Sequence, residues 1–393
     1  MSTKYFVGTA TATAKVMKAL PANPNTDDVY NLLAGGVTIA TFTVAATETV
    51  AAVTAGLTTS WNSSTHPYAT VITASDETTH VNLTAGTAGV DFVVTSSVES
   101  AGAPAPELTM STTTANGGPN DFSDGDNWFD VTAGTIGTAP AANDDVIVDD
   151  SDVNICFGLD YSGTALDSFE VTKRYTGKIG LDYATFTTDV NGETASSTAA
   201  PEYRETYLKL QVTQTDGDVT IGRHIGFGNP TGSQRIMIDT GSNAANIVVH
   251  GTAQTSAETG RPAVRLLSSS DDTDVFVVSA RAGVGIAMDE PGETSSVRKI
   301  SISDTTTTSR VFCGSGVTFA AADGEWYQAG GDNVLQAIQD GTVKTVAADG
   351  GILNIKGDFT ITALTNDGGT IYGNNTNGAD VAVTAATLSA GTT

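Results

Sequence analysis

The chain has 393 residues, with 44 acidic and 18 basic side chains and a formal net charge of −26. This charge argues against nucleic acid and anionic membrane surfaces as partners, because both are bound mainly through Lys and Arg side chains. Thr, which favours strands, and Gly and Asn, which favour turns, dominate the uncharged polar residues, so the composition predicts a mainly β protein.

The sequence contains no recognisable signal for export or for membrane insertion. No segment approaches the roughly 18 apolar residues of a membrane helix, and the first residues lack the apolar core of a secretory signal. We therefore expect the protein to be made and assembled in a cytoplasm. Cys156 and Cys313 are too few for a disulfide framework. They are predicted to be two buried free thiols, with one long-range disulfide as the alternative.

Residues 1–100 are predicted to form a small α+β domain. Residues 4–16 alternate weakly and suggest an arm or an edge strand. Residues 29–33 and 37–44 read as strands joined by a hairpin turn at 34–36, where two glycines permit the tight geometry. Further strands are predicted at 68–73, 81–83 and 92–98.

One amphipathic helix is predicted inside this domain. Thr47 is the expected N-cap, with Glu48 at the first helical position. Apolar side chains then recur at spacings of three and four residues, which places them on one helix face. These residues are Val50, Val53, Leu57 and Trp61.

Residues 37–98 also match a known pattern of one strand, an Ala/Thr-rich helix and later strands. The matching helix positions are Thr47, Val50, Ala51, Val53, Ala55, Leu57 and Asn62, and the matching strand positions are Leu83, Thr84, Ala85 and Gly89. In these positions the segment resembles a small domain that recurs in structural proteins of tailed bacteriophages. The matching positions are core and turn residues, so the resemblance implies a fold and not a reaction. In a virion protein this domain is expected to dock to the particle.

Residues 101–143 are predicted to contain a linker at 101–106 and the N-terminal cap of a solenoid. The motif residues are Asn127, Trp128, Pro140, Asn143, Asp144, Val146 and Val148. This motif resembles the opening of repetitive β-solenoid proteins of phages and bacterial surfaces. Trp128 is then expected to plug the open end of the first coil, which has no neighbour to cover it.

Residues 144–393 are predicted to form a parallel β-helix with inserted loops. Residues 350–373 show the pattern best, with three short alternating segments separated by turns of Gly, Asp and Asn. Strands this short need stacked copies to bury their apolar faces. Antiparallel sandwiches have a similar rhythm, and remain the alternative. Residues 333–338 look helical, and 374–393 are expected to cap the solenoid or to exchange with a neighbour.

The strongest metal candidate is the cluster of Asp121, Asp124 and Asp126 around Gly125. Closely spaced carboxylates suit Ca²⁺, although the Glu that completes a twelve-residue calcium loop is missing. The simpler interpretation is a capping turn rich in Asp and Gly. No other cofactor is predicted.

Catalytic motifs are scarce in the sequence. Asp216 and Asp218, with Arg223 and His224, are the nearest approach to the paired carboxylates of a glycosidase, and turn residues are the simpler interpretation. Zinc is not indicated, because the four histidines share no ligand spacing. We therefore predict a protein that is not an enzyme.

Taken together, the resemblances imply a structural protein on the exterior of a tailed-phage virion. Capsid decoration or a head fibre is the leading hypothesis, and the expected partners are other virion proteins and further copies of the chain, often trimers in such proteins. A tail fibre or baseplate receptor-binding protein, a cell-surface adhesin and a polysaccharide depolymerase remain as alternatives.

Overall fold

The structure is a computed structural model of the whole chain. It describes residues 2–46, 49–180, 206–213, 218–222, 235–252, 262–288, 293–306, 308–373 and 381–388. None of the helices among these residues is both long and apolar enough to span a bilayer.

The described elements of the first 114 residues are four short strands, two consecutive helices and four further strands. They are β1 (Thr3–Phe6), β2 (Val16–Ala22), β3 (Val29–Ala34), β4 (Val37–Thr43), α1 (Val50–Ser63), α2 (Pro67–Thr70), β5 (Ile72–Asp76), β6 (Val81–Ala85), β7 (Thr95–Glu99) and β8 (Glu107–Thr114).

The later elements are almost all short strands, preceded by a 3-10 turn at Gly125–Asn127. They are β9 (Trp128–Asp130), β10 (Thr135–Ile136), β11 (Asp145–Val148), β12 (Asp160–Leu166), β13 (Ser168–Val171), β14 (Leu208–Val212), β15 (Val219–Gly222), β16 (Ile236–Asp239), β17 (Asn246–Gly251), β18 (Val264–Leu267), β19 (Asp274–Val277), β20 (Val284–Ile286), β21 (Ser295–Val297), β22 (Lys299–Ile302), β23 (Val311–Cys313), β24 (Val317–Phe319), β25 (Glu325–Gln328), β26 (Asp332–Gln336), β27 (Gly341–Ala348), β28 (Ile352–Lys356), β29 (Phe359–Asn366), β30 (Thr370–Gly373) and β31 (Val381–Leu388).

The protein is mainly β and contains two large sheets built from parallel strand pairs. In the described residues one sheet has 13 strands, in the order β10-β9-β1-β11-β13-β15-β17-β19-β22-β25-β27-β29-β31. The other has nine strands, in the order β12-β14-β16-β18-β20-β23-β26-β28-β30. From β11 onward the chain alternates between these two sheets, apart from a short pair formed by β21 and β24.

Side chains from both large sheets form one core cluster that begins at Phe6 and continues to Ile361. The three predicted strands of residues 350–373 are confirmed as β28, β29 and β30. Leu353, Ile355, Phe359 and Ile361 are buried, as the alternation requires. Since the pairs between successive strands of each sheet are parallel, ordinary antiparallel sandwiches are wrong for this part of the chain.

A second core cluster belongs to two smaller antiparallel sheets and α1. One sheet has the order β5-β6-β2-β8 and the other β4-β3-β7. The predicted helix is confirmed as α1, which buries Val53, Leu57 and Trp61. Its N-cap is Thr49, whose side chain accepts a hydrogen bond from the Ala52 amide. Thr47 and Glu48, the predicted start of the helix, lie outside the described residues.

Strand pairing differs from the predicted boundaries at both ends of the small unit. β1 lies in the 13-stranded sheet, where it pairs parallel to β11 and antiparallel to β9. β8 lies beyond the predicted linker at 101–106, yet it pairs with β2 from Ala22 to Val16. A short loop and a linker share the same Ala/Gly/Pro composition, so only the pairing of residues distant in sequence distinguishes them.

Two local predictions are wrong. Residues 333–338 were expected to be helical, but β26 is a strand because it pairs with β28 over five consecutive residues. Residues 68–73 were expected to be one strand, but α2 precedes β5 there. Pro67 at the first helical turn and His66, which caps Tyr68, favour this short helix.

Candidate functional site

The carboxylates of the predicted calcium cluster are held by hydrogen bonds within their own turn. Asp121 Oδ1 accepts from the Ser123 amide at 2.9 Å and from Ser123 Oγ at 2.7 Å. Its Oδ2 accepts from Asn116 Nδ2 at 2.8 Å. Burial raises the pKa of the Asp121 carboxyl, and these hydrogen bonds oppose the rise.

Asp124 and Asn127 complete this turn. Asp124 Oδ2 accepts from the Gly118 amide at 3.0 Å, and its Oδ1 accepts from the Asp126 amide at 3.0 Å. The Asn127 side-chain amide donates to the Gly118 and Asp121 carbonyls, both at 2.7 Å, and its Oδ1 accepts from the Ala10 amide at 2.9 Å. The turn therefore ties residues near the start of the chain to the entrance of β9.

This geometry supports the capping interpretation over the calcium one. Within the described ranges, no three or more His, Cys, Asp or Glu side chains are grouped so that they could hold a metal ion. Asp121 and Asp124 already use both of their carboxylate oxygens as acceptors for protein donors. Asp126 contributes its backbone, with its amide capped by Asp124 and its carbonyl accepting from Thr9 Oγ1.

Aromatic rings close the β9 end of the 13-stranded sheet. Trp128 is fully buried between Phe6 and Phe122, with ring centroids 5.3 and 4.9 Å away. Both contacts are edge-to-face, the favourable arrangement for aromatic pairs. Phe122 also meets Tyr161 at 5.0 Å, and Tyr161 Oη donates to the Pro140 carbonyl at 2.6 Å.

An ionic network joins the N-terminal strand to the same end. Lys4 is only 2 % exposed, and its Nζ lies 2.6 Å from Asp130 Oδ2 and 4.0 Å from Asp144 Oδ2. The Ser2 amide donates to Asp144 Oδ1 at 2.8 Å, and Ser2 Oγ donates to Asp130 Oδ1 at 2.5 Å. Lys4 and Ser2 hold the pKa of the Asp130 carboxyl far below its ordinary value. Sequence reasoning missed this network, because its members lie more than a hundred residues apart.

An open groove of about 410 Å³ lies beside this end, lined by residues 5–7 and 149–153. Three aspartates line it, but Asp149 is engaged by Arg174 in a bidentate ion pair and by the Thr172 hydroxyl. Burial acts to raise the pKa of Asp149, and these bonds outweigh it, so the pKa is lowered.

The predicted catalytic cluster is only partly visible. Asp218 is exposed, and its Oδ1 accepts from Asn246 Nδ2 at 3.2 Å and from the Asn246 amide at 3.3 Å. This contact joins neighbouring strands β15 and β17. Asp216, Arg223 and His224 lie outside the described residues.

A buried basic cluster on the nine-stranded sheet was also missed. The guanidinium carbon of Arg265 lies 4.2 Å from the centre of the Tyr207 ring, within the range of a cation–π contact. Tyr207 Oη donates to the Pro262 carbonyl at 2.7 Å. Arg235 is 5 % exposed and contacts the same ring at 5.8 Å. No local motif marks these residues: Arg265 lies in β18, and Arg235 and Tyr207 immediately precede β16 and β14.

Several charged side chains pair between neighbouring strands or the turns beside them. Arg298 forms a bidentate pair with Asp274, and Arg310 Nη1 lies 2.5 Å from Asp332 Oδ2. The members of these pairs are 24 and 22 positions apart, the length of chain that separates neighbouring strands here. Similar contacts join Asp149 to Arg174, Lys299 to Glu325, and Tyr327 to Asp349.

We compared the chain with protein-family models, curated proteins and solved structures. None matched. The functional conclusion therefore rests on the fold and on the residues described above.

Proposed function

We propose that the two large sheets are walls of a parallel β-helix, and that the chain is a non-enzymatic structural protein. The alternation of successive strands between two parallel sheets supports this, since each coil then contributes one strand to each wall. Outer polar side chains bond to the next coil about 22 to 25 residues along, as Tyr327 does with Asp349.

The observation that carries the proposal is the continuous core between the sheets. It starts at the aromatic cap of Phe6, Phe122 and Trp128, and it includes residues of nearly every strand that follows. Stacking of this kind makes a stiff spacer, because each coil is supported by its neighbours. Of the carboxylates that the sequence offered for chemistry, those of Asp121 and Asp124 hold a turn, and that of Asp218 bonds to Asn246 of a neighbouring strand.

The proposed setting is the exterior of a tailed-phage particle. The resemblance of residues 37–98 to a phage structural domain supports it, and the small unit with α1 would attach the chain to the particle. The β-helix would then project outward as a capsid decoration or a head fibre. Its net charge of −26 favours solubility and limits nonspecific association.

Copy number tests this proposal. Phage particles that encode the chain would be purified, and the chain quantified against the major capsid protein on a stained gel or by mass spectrometry. A decoration protein is expected at hundreds of copies per particle. Tens of copies or fewer would assign the chain to the tail or baseplate, and its absence from particles would refute the virion role.

A second assay tests the non-enzymatic part. The purified chain would be incubated with capsular polysaccharide from the host, and the change in viscosity and reducing ends followed. No change is expected. Depolymerisation that is lost in Asp218→Asn but kept in Glu99→Gln, a change at an exposed strand end, would replace the structural proposal with a depolymerase.

A further inference from the structure

The two edges of the 13-stranded sheet are formed by strands of different length and pairing. At one end lie β9, which contains Trp128 of the aromatic cap, and the two-residue β10, and both pair antiparallel. At the other end lies β31, an eight-residue strand that pairs with β29 on one side and has no described strand on its other side. Short edges resist further pairing, whereas a long regular edge invites it.

β31 presents core-type side chains that the described chain covers only in part, since Val381 packs against the core while the residues after it are exposed. Its register places Val381, Val383, Ala386 and Leu388 beside Phe359, Ile361, Leu364 and Asn366 of β29, which face the core. Yet Val383 is 41 % exposed and Leu388 is 54 % exposed. The strand thus continues the inner wall of the sheet with apolar positions left open.

β31 also lacks the usual protection against edge pairing. Residues 381–388 read VAVTAATL, with no proline and no charged residue. The chain as a whole has a net charge of −26. Two such acidic chains repel each other over most of their surface. An uncharged edge is where a second copy can approach at the lowest electrostatic cost.

The spacing of the inward-facing residues along β31 indicates which partner strand fits beside it. Along β31 they fall at 381, 383, 386 and 388, a spacing of two, three and two residues that reads the same in both directions. Two identical strands that meet through the same edge must run antiparallel about a two-fold axis. When that axis passes between Thr384 and Ala385, Val381 lies opposite Leu388 of the second copy and Val383 lies opposite its Ala386. Every inward side chain then faces an inward side chain.

We propose that β31 is an interaction edge at which a second copy of this chain adds its own β31 in antiparallel register, centred between Thr384 and Ala385. The contact joins the two 13-stranded sheets end to end and covers Val383 and Leu388. It does not depend on the virion role, and it is compatible with further copies associating through other faces.

Disulfide trapping tests the register directly. Purified full-length Val383→Cys and Ala386→Cys would be mixed, oxidised and run on a non-reducing gel. Residues directly opposite in an antiparallel pair lie within disulfide reach, so the mixture is expected to give a covalent dimer. Either variant alone is expected to give almost none, because its own cysteines lie about 10 Å apart along the strand. The wild type controls for the buried Cys156 and Cys313.

The matched control is Val383→Cys mixed with Thr387→Cys, which shifts the pairing by one residue and points the two side chains to opposite faces. Equal trapping in this control, or no trapping in the Val383 and Ala386 mixture, would overturn the proposal.

Mass in solution provides the second test. Light scattering would follow the mass of the wild type over about 1 to 100 μM, a range suited to an interface of modest area. The wild type is expected to form a dimer. Val383→Lys is expected to abolish the dimer and so halve the measured mass. Val131→Lys alters a valine of similar exposure elsewhere, at 49 %, and is expected to behave as wild type. The two-fold pairing would be refuted if wild type and Val383→Lys had the same mass. It would also be refuted if the wild type grew without limit into filaments. Circular dichroism melts would verify that each variant is folded.

Discussion

Trp128 packs edge-to-face on Phe122 and also donates its indole Nε1–H to the Phe122 carbonyl at 2.7 Å. One residue thus provides both apolar contact and a hydrogen bond at the end of the core. Phe6, from the first described strand, also contacts this indole edge-to-face, with ring centroids 5.3 Å apart. The cap therefore assembles from two segments that are far apart in sequence, one with Phe6 and one with Phe122 and Trp128.

Trp128→Ala is expected to lower the free energy of unfolding by about 3–5 kcal/mol, the range for truncating a large buried aromatic residue. Trp128→Phe, which retains much of the ring but loses the indole donor, is the control and is expected to cost less. Denaturant unfolding followed by circular dichroism measures both. A loss below about 1 kcal/mol for Trp128→Ala would show that the indole is not a structural cap.

Low pH is expected to reduce the contribution of Asp130 to the free energy of unfolding, because its carboxylate binds Lys4 and Ser2 of the N-terminal segment. The folded-state pKa of this carboxyl lies below its unfolded value because Lys4 and Ser2 bond the carboxylate. Its contribution to stability is therefore full above about pH 4 and is lost as the pH falls through the folded-state pKa. In Asp130→Asn this part of the acid dependence should vanish.

The measurement is the urea midpoint of wild type and Asp130→Asn between about pH 2 and 6, a range that brackets ordinary carboxyl pKa values. The difference between the two proteins is expected to shrink as the pH falls. Glu99→Gln, at the exposed end of β7, is the control and should follow the wild type. A difference that is constant with pH would argue against a depressed pKa at Asp130.

Calcium is expected to leave thermal stability unchanged. Asp121 and Asp124 already accept protein hydrogen bonds on both oxygens, so a cation would have to compete with these donors. Melting curves with millimolar Ca²⁺ and with a chelator should coincide. A saturable rise in melting temperature with Ca²⁺, absent in Asp124→Ala, would restore the metal interpretation.

Asp124→Ala by itself is expected to cost about 0.5–2 kcal/mol, as for the loss of a helix N-cap. The carboxylate caps the Asp126 amide and also holds the Gly118 amide. Asp124→Asn, which keeps one acceptor oxygen, should recover part of the loss in denaturant unfolding. Equal losses for the two variants would point to charge, and not acceptor geometry, as the contribution of Asp124.

Close approach of neighbouring turns predicts a penalty at Gly314. A Cβ added there would lie 2.0 Å from the Ala287 carbonyl oxygen, which belongs to a neighbouring turn and cannot move alone. Gly314→Ala is expected to destabilise by about 1–3 kcal/mol, as for overpacking. At Gly163 an added Cβ meets nothing within 4 Å, so Gly163→Ala is the matched control. Similar unfolding midpoints for the two variants would contradict the close stacking of these turns.

Both thiols are expected to resist modification in the folded protein. Cys156 and Cys313 are buried thiols that are not joined in a disulfide, which confirms the prediction of two buried thiols. Burial raises the pKa of Cys313 to about 12, so the reactive thiolate is rare. A thiol reagent should label no cysteine in buffer and both in denaturant. Rapid labelling of the native protein would show that one of these sites is accessible.

Local pattern was sufficient for individual elements. Alternation at residues 350–373 predicted three strands with the correct inward side chains, and the three-to-four spacing of Val53, Leu57 and Trp61 predicted α1 and its buried face. These features depend on neighbours within one strand or one helix turn, so the sequence contains all the information needed. Composition likewise predicted a mainly β protein.

Pairing between distant segments was decided only in the tertiary structure. Residues 333–338 have a helix-like composition, but β28 offers backbone partners for β26, and pairing outweighs the weak local preference. Lys4 finds Asp130 and Asp144 only after β1 inserts between β9 and β11.

The sequence by itself determined the strand-rich composition, the amphipathic helix and the side chains that turn inward, because each follows from residues a few positions apart. The tertiary structure alone decided that β1 belongs to the large sheet, that β8 returns to the small one, and that β31 is the last strand of the large sheet among the residues described. Each of these outcomes depends on which backbone groups meet across long stretches of chain, and no local period records that choice.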